Sequence, residues 1–371
     1  VALTIEQVIE GVGAVAADLA ASRNERVGVR DLDPAVFTAL ADAGVTRLAV
    51  PVEQGGLWRS VEESTRDVCA VYRTLATGDP STALAASMHL AVLVFVLATP
   101  QVDPEYQDAW DEQRNRIFAT AAAGAWWGTI SSEPGSGGDH SRTASVAVPD
   151  GDRWRLSGMK HFGSGSGITS YMLTTAVPQG EDTVDWFFTD ALAHTWDGSR
   201  GVTLVREWDG RGMAATQSHA FRFEDVDAER LAWPGHQAEI ATNSRGFGPA
   251  LFTAVVRGVV ESAIGAAEVA LEGTDLRASQ QMDWTDAQLD AWTLARVHDG
   301  VLDSIESRGD RLDPVRGKLV CARLAESAMD RLCRAVGGSS LSESNPFGQW
   351  QQDVKALGFL RPPWGLMYDA L

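Results

Sequence analysis

Ser131-Ser132-Glu133-Pro134-Gly135-Ser136-Gly137-Gly138-Asp139 sets two hydroxyls ahead of a turn whose glycines expose backbone N–H groups. Such a nest offers several donors without side-chain bulk, so it can cradle a phosphate or the polar edge of a planar ring. A solvent loop between strands fits the same residues. One short hairpin later comes Gly158-Met159-Lys160-His161-Phe162-Gly163-Ser164-Gly165-Ser166-Gly167. Its glycine spacing imitates a dinucleotide fingerprint, but that loop must lead into a helix, and Tyr171 to Val177 reads as a strand. Phe162 can stack on an aromatic ring, and the Ser164 hydroxyl can bond a ring nitrogen.

Outward from this pair, residues 125–230 are rich in Gly, Ser, Thr and aromatics. Short runs at Trp154–Ser157, Tyr171–Val177, Val184–Phe188 and Ser218–Phe223 are separated by turn residues, which predicts antiparallel strands. Before them the pattern is helical. Ile5, Val8, Ile9, Val12, Val15, Ala16 and Leu19 share one helix face, Thr4 and Gln7 form a capping box, and Asp33-Pro34 opens a second helix that ends at Gly44. After them helical periodicity returns, with a wide apolar stripe from Phe247 to Ile264 and a later one from Val320 to Val336. Gly258 and Gly265 are expected to let a neighbouring helix approach. The fold class is therefore α+β: a helical domain over 1–122, a middle β domain over 123–235 and a C-terminal helical bundle over 236–371.

Lys and Arg number 31 against 50 Asp and Glu, for a net charge of -19, which excludes nucleic acid and anionic membrane surfaces as partners unless a local basic patch intervenes, and none is visible. Cys69, Cys321 and Cys333 are too scattered for a disulfide framework or a zinc site, so no metal is expected and a reducing, cytoplasmic setting is. The first helix lacks the pattern of a signal peptide. The apolar stretch from Ala83 to Ala98 is short for a bilayer crossing and carries Ser87 and His89, so it reads as a buried helix.

The paired turns resemble the flavin-binding pair of the acyl-CoA dehydrogenase superfamily, which usually shows T-E-P-G-x-G-S-D followed by G-x-K-x-W-I-T-N-G. Further matches follow in the same order over about 300 residues: Val50 to Leu57, Gly78 to His89, Phe223-Glu224-Asp225-Val226 and Ala335-Val336-Gly337-Gly338. The resemblance implies an N-terminal helical domain, a β domain and a C-terminal four-helix bundle. It implies FAD, with FMN as the alternative, lined by Ser131, Ser132, Gly137, Gly138, Phe162, Gly163 and Ser164, with Gly337 and Gly338 also assigned to the cofactor. It further implies a homo-oligomer, dimer or tetramer, acting on a small molecule such as a CoA thioester.

Dehydrogenation of an acyl-CoA needs a carboxylate base over the flavin. Counting from Asp353-Val354-Lys355, the match to the family's D-A-K, Arg361 stands where one branch carries that glutamate. In the other branch the acid precedes Arg257, where this chain has Val256. Gly138 replaces the serine of G-S-D, Phe162 replaces tryptophan, and the R-x-F-G element has no counterpart near Leu276 to Trp284. The superfamily also holds flavin-dependent monooxygenases, which need no such base, and Arg334 to Leu341 followed by Trp350 and Asp353 resembles their C-terminal signature. The histidine several of them use near this point is replaced by Leu360. The expected function is therefore an atypical, oxygen-using flavin-dependent oxidoreductase. An acyl-CoA dehydrogenase proper and a non-catalytic subunit pairing with an active relative are the alternatives. His161 and Arg361 are the catalytic candidates, and His89 and Arg257 the substrate-binding ones. A core histidine and a structural ion pair are the plainer readings of the last two.

Overall fold

Thr4 opens the first helix with a reciprocal cap: its hydroxyl accepts the Gln7 N–H at 3.4 Å, and the Gln7 side chain accepts the Thr4 N–H at 3.0 Å. This computed structural model describes residues 3–371. Five helices make the front: α1 (Ile5–Ala21), α2 (Pro34–Asp42), α3 (Val61–Gly78), α4 (Pro80–Leu97) and α5 (Gln107–Ala122). Asp33 caps α2 by accepting the Ala35 N–H at 2.8 Å. Asp79 caps α4 through the Thr82 N–H at 2.7 Å and pairs with Arg26 at 2.9 Å, so one carboxylate both starts the helix and ties it to the loop after α1.

Seven strands follow: β1 (Trp127–Thr129), β2 (Val146–Asp150), β3 (Arg153–Gly163), β4 (Tyr171–Pro178), β5 (Asp185–Asp190), β6 (Val202–Arg206) and β7 (His219–Arg230). They are ordered β1-β4-β2-β3-β7-β5, with β6 beside β7 and β4 also pairing β5. Most ladders are antiparallel as expected, but β4 runs parallel to β1 and to the start of β2. A parallel pair needs a crossover between its strands. Here the crossover is the excursion from 130 to 170, and it carries both hydroxyl-and-glycine turns. Gly158 to Gly163 belongs to β3 rather than to a loop, with ladder irregularities between Leu156 and Gly158 and between Lys160 and Gly163. These let the strand bend toward the first turn.

The chain returns to helix with α6 (Gln237–Asn243), α7 (Phe247–Leu271), α8 (Ala278–Glu306), α9 (Asp313–Val336), α10 (Phe347–Val354) and α11 (Trp364–Ala370). α7, α8, α9 and the shorter α10 pack on one another, and α3 lies along α7. Gly258 makes that approach possible, since a Cβ there would sit 2.3 Å from the Arg73 carbonyl oxygen, whereas Gly265 faces open space. On α9 the buried face runs through Leu319, Cys321, Ala322, Ala325, Ala328, Met329 and Leu332, and Val320 is turned outward. α4 and α7 are long and apolar enough to span a membrane, yet 89% and 72% of their apolar windows are buried against the rest of the chain. Fully buried Leu251, Val255 and Val259 on α7 each contribute about 1.5–3 kcal/mol of apolar burial, which identifies this helix as core. A second, smaller core of Ile130, Leu156, Met172, Phe187, Phe221 and Val226 fills the sheet.

Candidate functional site

The two turns are joined at their backbones. The His161 N–H donates to the Ser132 carbonyl at 2.8 Å, an isolated antiparallel bridge between the first turn and the end of β3. Beneath it lies an ion pair: Lys160 Nζ donates to Glu133 Oε1 at 2.5 Å and to the Thr175 carbonyl at 2.6 Å, with both side chains at 5% exposure or less. Glu133 also accepts the Ala144 N–H at 2.6 Å, the Ser145 hydroxyl at 2.8 Å and the Thr143 hydroxyl. Burial works to raise the Glu133 carboxyl, but the Lys160 ammonium and these donors hold it below its ordinary value. Burial lowers Lys160 to about 8 against the pull of Glu133, so the pair is ionised at neutral pH. Its charges cancel, and its role is to clamp the turns.

The hydroxyls of the two turns are held by neighbouring side chains. Ser164 Oγ lies 2.8 Å from Ser218 Oγ, which lies 2.7 Å from Thr216 Oγ1, and the Gly165 N–H donates to the Thr216 carbonyl at 2.8 Å. That chain is fixed from the C-terminal side: Asp353 on α10 accepts the Met213 N–H at 2.6 Å and the Gln349 amide at 2.8 Å, both on Oδ1, while Thr216 donates to the Met213 carbonyl. Burial raises the Asp353 carboxyl to about 7. Ser131 Oγ meets Thr129 Oγ1 at 3.2 Å and His140 Nε2 at 3.1 Å. His140 is pushed well below its usual range, first by burial and then by the Arg361 and Lys160 charges, so it is a neutral spacer. Gly137 and Gly138 sit at φ +63° and +86°, a left-handed succession in which the Gly138 N–H donates to Ser136 Oγ at 3.2 Å and the Asp139 N–H to the Ser136 carbonyl at 3.1 Å. A Cβ on Gly138 would come 2.9 Å from Pro363, so the first turn and the C-terminal tail close on one another there.

Phe162, at φ +59° and 56% exposed, projects from the seam with its ring edge-on to His161 and Trp208. The His161 ring makes no hydrogen bond among the described residues, and burial followed by the Arg206 charge lowers its pKa, leaving it neutral. Arg361 reaches in from the tail: Nη1 donates to the Gly138 carbonyl at 2.5 Å and Nη2 to Ser132 Oγ at 2.9 Å. Lys318 on α9, 1% exposed, donates to the carbonyls of Leu360 and Pro362 at 2.5 and 2.6 Å and so holds the backbone on both sides of Arg361.

Ser131, Ser132, Gly137, Gly138, Phe162, Gly163, Ser164, His161 and Arg361 therefore gather in one place. Four other sequence candidates do not. His89 is fully buried on α4, where Nδ1 accepts the Trp127 N–H and Nε2 meets the Thr46 carbonyl, each at 3.1 Å. Burial lowers it to about 4. Both ring nitrogens are used, so it ties β1 to the helical front and offers a substrate nothing. Arg257 is neutralised by Asp299 at 2.6 Å and Glu261 at 2.8 Å, a link between α7 and α8. Gly337 and Gly338 line a separate open cleft of about 360 Å³ with Cys333, Arg334 and Ser340, none of which belongs to the seam. A larger cleft, about 610 Å³, lies between α2 and the loop at Gly167 and Ile168; its wall carries few chemical groups beyond Asp42 and Arg47.

Sequence reasoning missed four supporting residues. Glu133 and Lys160 stand in the quoted motifs, and opposite charges in two turns expected to converge were the available signal. Asp353 appeared as part of a three-residue match and of the C-terminal signature, without a role of its own. Lys318 gave no signal, because a lysine inside a helical pattern reads as solvated.

Residues 128–226 match the family described as acyl-CoA dehydrogenase, middle domain. Over 362 residues the chain is 26% identical to a putative acyl-CoA dehydrogenase, YdbM, of Bacillus subtilis (strain 168), covering 87% of this chain and 84% of that one. It is 25% identical to the amino sugar nitrososynthase DnmZ of Streptomyces peucetius (88% and 82% covered) and 28% to the dibenzothiophene monooxygenase of Mycolicibacterium goodii (73% and 61%). Among solved structures it shares its fold with KijD3 in complex with FMN and a dTDP-linked amino keto sugar (TM-score 0.83, 21% identity, 98% and 92% covered). Butyryl-CoA dehydrogenase from Megasphaera elsdenii is comparable (TM-score 0.84, 17% identity, 99% and 97% covered). Residues 128–226 thus carry the pattern of an acyl-CoA dehydrogenase middle domain, and over most of its length the chain is similar to acyl-CoA dehydrogenase-like and nitrososynthase proteins and shares the helix–sheet–helix fold of the solved structures.

Proposed function

We propose that this chain is a flavin-dependent oxidoreductase whose reaction dispenses with a carboxylate base. The observation that carries it is the seam itself: the Ser132 hydroxyl, which accepts from Arg361 and keeps its own proton to donate, the left-handed Gly137 and Gly138 backbone and the projecting Phe162 ring lie around the bridge between Ser132 and His161. This donor set suits the acceptor-rich edge of an isoalloxazine, with an aromatic ring to cover its face. Gly135 and Gly137 have no neighbour within 4 Å of a Cβ position, which leaves the first turn open to a ligand. A bound flavin would supply two-electron redox chemistry with the substrate and, in an oxygen-using enzyme, with dioxygen.

The residues around that strip argue against α-proton abstraction. Glu133 is consumed by Lys160 and three further donors, Asp139 is turned to Ser141, and Arg361 stands where the resemblance calls for a glutamate. His161, neutral and unpartnered, is the group able to take up a proton. The relatives named as a nitrososynthase and a monooxygenase support the oxygen-using reading. YdbM keeps acyl-CoA dehydrogenation as the alternative, and the tail residues Arg361 and Pro363 packed on the first turn favour, as a second alternative, a subunit that does no chemistry.

The substrate is a small molecule, to be sought among amino sugars, sulfur heteroaromatics and CoA thioesters. A homo-oligomer, dimer or tetramer, is part of the reading, because Met282, Leu289 and Trp292 leave an apolar stripe on α8 that is 56–68% exposed. Three free thiols suit a reducing, cytoplasmic compartment.

The test is reconstitution of the full chain with FMN and FAD, followed by visible absorbance. We expect uptake of one of them, and Ser132→Ala to weaken it about three- to tenfold, the loss of one hydrogen bond. A colourless protein that takes up neither overturns the reading. If flavin is held, substrate-dependent reoxidation in air without acyl-CoA dehydrogenation supports oxygen use, and acyl-CoA oxidation restores the dehydrogenase.

A further inference from the structure

Arg361 brings a positive charge into the site with the Lys318 amine packed behind it, and neither side chain enters a salt bridge among the described residues. The guanidinium uses one N–H on the Gly138 carbonyl and one on Ser132 Oγ, and the ammonium is spent on two backbone carbonyls. The acid whose field reaches Arg361 is Asp139 on the rim, already bonded to Ser141. Burial lowers Arg361 to about 10 and Lys318 to about 7, which marks both as short of a counter-charge. The neighbouring charges do not help: Glu133 is neutralised by Lys160, and His140 is neutral. In a chain whose net charge is -19, uncompensated positive charge beside a ligand seam favours an arriving negative charge.

Resting on the flavin reading above, we propose that Arg361, positioned by Lys318, is a fixed positive charge in the flavin cradle that makes the site hold reduced, anionic flavin more tightly than oxidised flavin. Reduction adds two electrons and one proton to a neutral ring and leaves one negative charge on it. A cation bonded to Ser132 and Gly138, two residues of the cradle, stabilises that product and not the neutral reactant. By linkage the preference appears as a raised potential of the bound flavin, each tenfold in affinity ratio corresponding to about 30 mV for a two-electron couple. Lys318 acts through geometry. Gripping Leu360 and Pro362 on either side of Arg361, it fixes where the guanidinium emerges, so it is a positioning residue and not a catalytic one.

Oxidised and dithionite-reduced FMN and FAD are titrated anaerobically into the full chain, and the potential of the bound flavin is measured by equilibration with reference dyes. We expect the wild type to favour the reduced form about tenfold or more. Arg361→Gln should lose most of that preference while still taking up oxidised flavin, Arg361→Lys should keep part of it, and Lys318→Met should reduce it with Arg361 intact. Flavin binding with the same reduced-to-oxidised ratio in wild type and Arg361→Gln overturns the proposal and leaves the flavin reading standing. Failure of the wild type to bind either form overturns both. Should Arg361→Gln not fold, the wild type decides: a bound potential at or below that of free flavin overturns the proposal. An unchanged ratio in Lys318→Met removes the positioning role.

Discussion

Each wall of the seam contains a buried lysine, and the two are set against different partners. On the β wall Lys160 faces the Glu133 carboxylate, and the pair sums to no charge. On the C-terminal wall Lys318 faces two carbonyls and holds up Arg361, so that wall keeps its charge. Where buried charges cancel they act as fasteners, and where they do not they leave a field for a ligand. The motif-rich wall therefore supplies shape, while the tail supplies the positive charge of Arg361.

The sharpest way to break this contrast is Lys160→Met, which leaves a buried carboxylate unpaired. We expect a loss of about 3–5 kcal/mol in urea unfolding, largely recovered in the Lys160→Met/Glu133→Gln double variant. A loss that the second substitution does not recover would mean the pair does more than fasten.

Asp353 tests the same rule for a lone buried acid. Its folded pKa, about 7, lies above the ordinary carboxyl value, so the folded state holds an extra proton between about pH 4 and 7. The stability this contributes is complete below that window and is lost as pH rises through about 7. Asn can accept both hydrogen bonds that Oδ1 now takes. Asp353→Asn should therefore flatten the pH profile and be more stable than wild type at pH 8 by about 2–4 kcal/mol. Parallel melting curves of the two proteins across the window would refute this.

The smallest effect belongs to Arg257, a cation already neutralised by Asp299 and Glu261. Arg257→Gln should cost about 1 kcal/mol of stability and leave flavin affinity within about twofold. A larger change in affinity would restore the ligand role that its contacts deny it.

The helix order, the caps at Thr4 and Asp33 and the convergence of the two turns were legible because each is local: capping boxes, apolar stripes and hydroxyl-glycine runs are written in a few consecutive residues. The bend of β3 through Gly158 was harder to read, since glycine and polar residues interrupt the alternation that marks a strand. His89 misled in a different way, because a histidine satisfied by two backbone groups cannot be told from a ligand-binding one until Thr46 and Trp127 are seen beside it. Lys318 was beyond reach, since its partners lie more than forty residues away and are backbone carbonyls, which no side-chain pattern announces.

The bonds from Arg361 to Gly138 and Ser132 span 223 and 229 positions of sequence. During synthesis the sheet and both turns leave the ribosome well before the segment that completes them. A nascent chain halted after α9 would hold the two turns without the Arg361 guanidinium between them, and Lys318 would have no Leu360 and Pro362 carbonyls to grip.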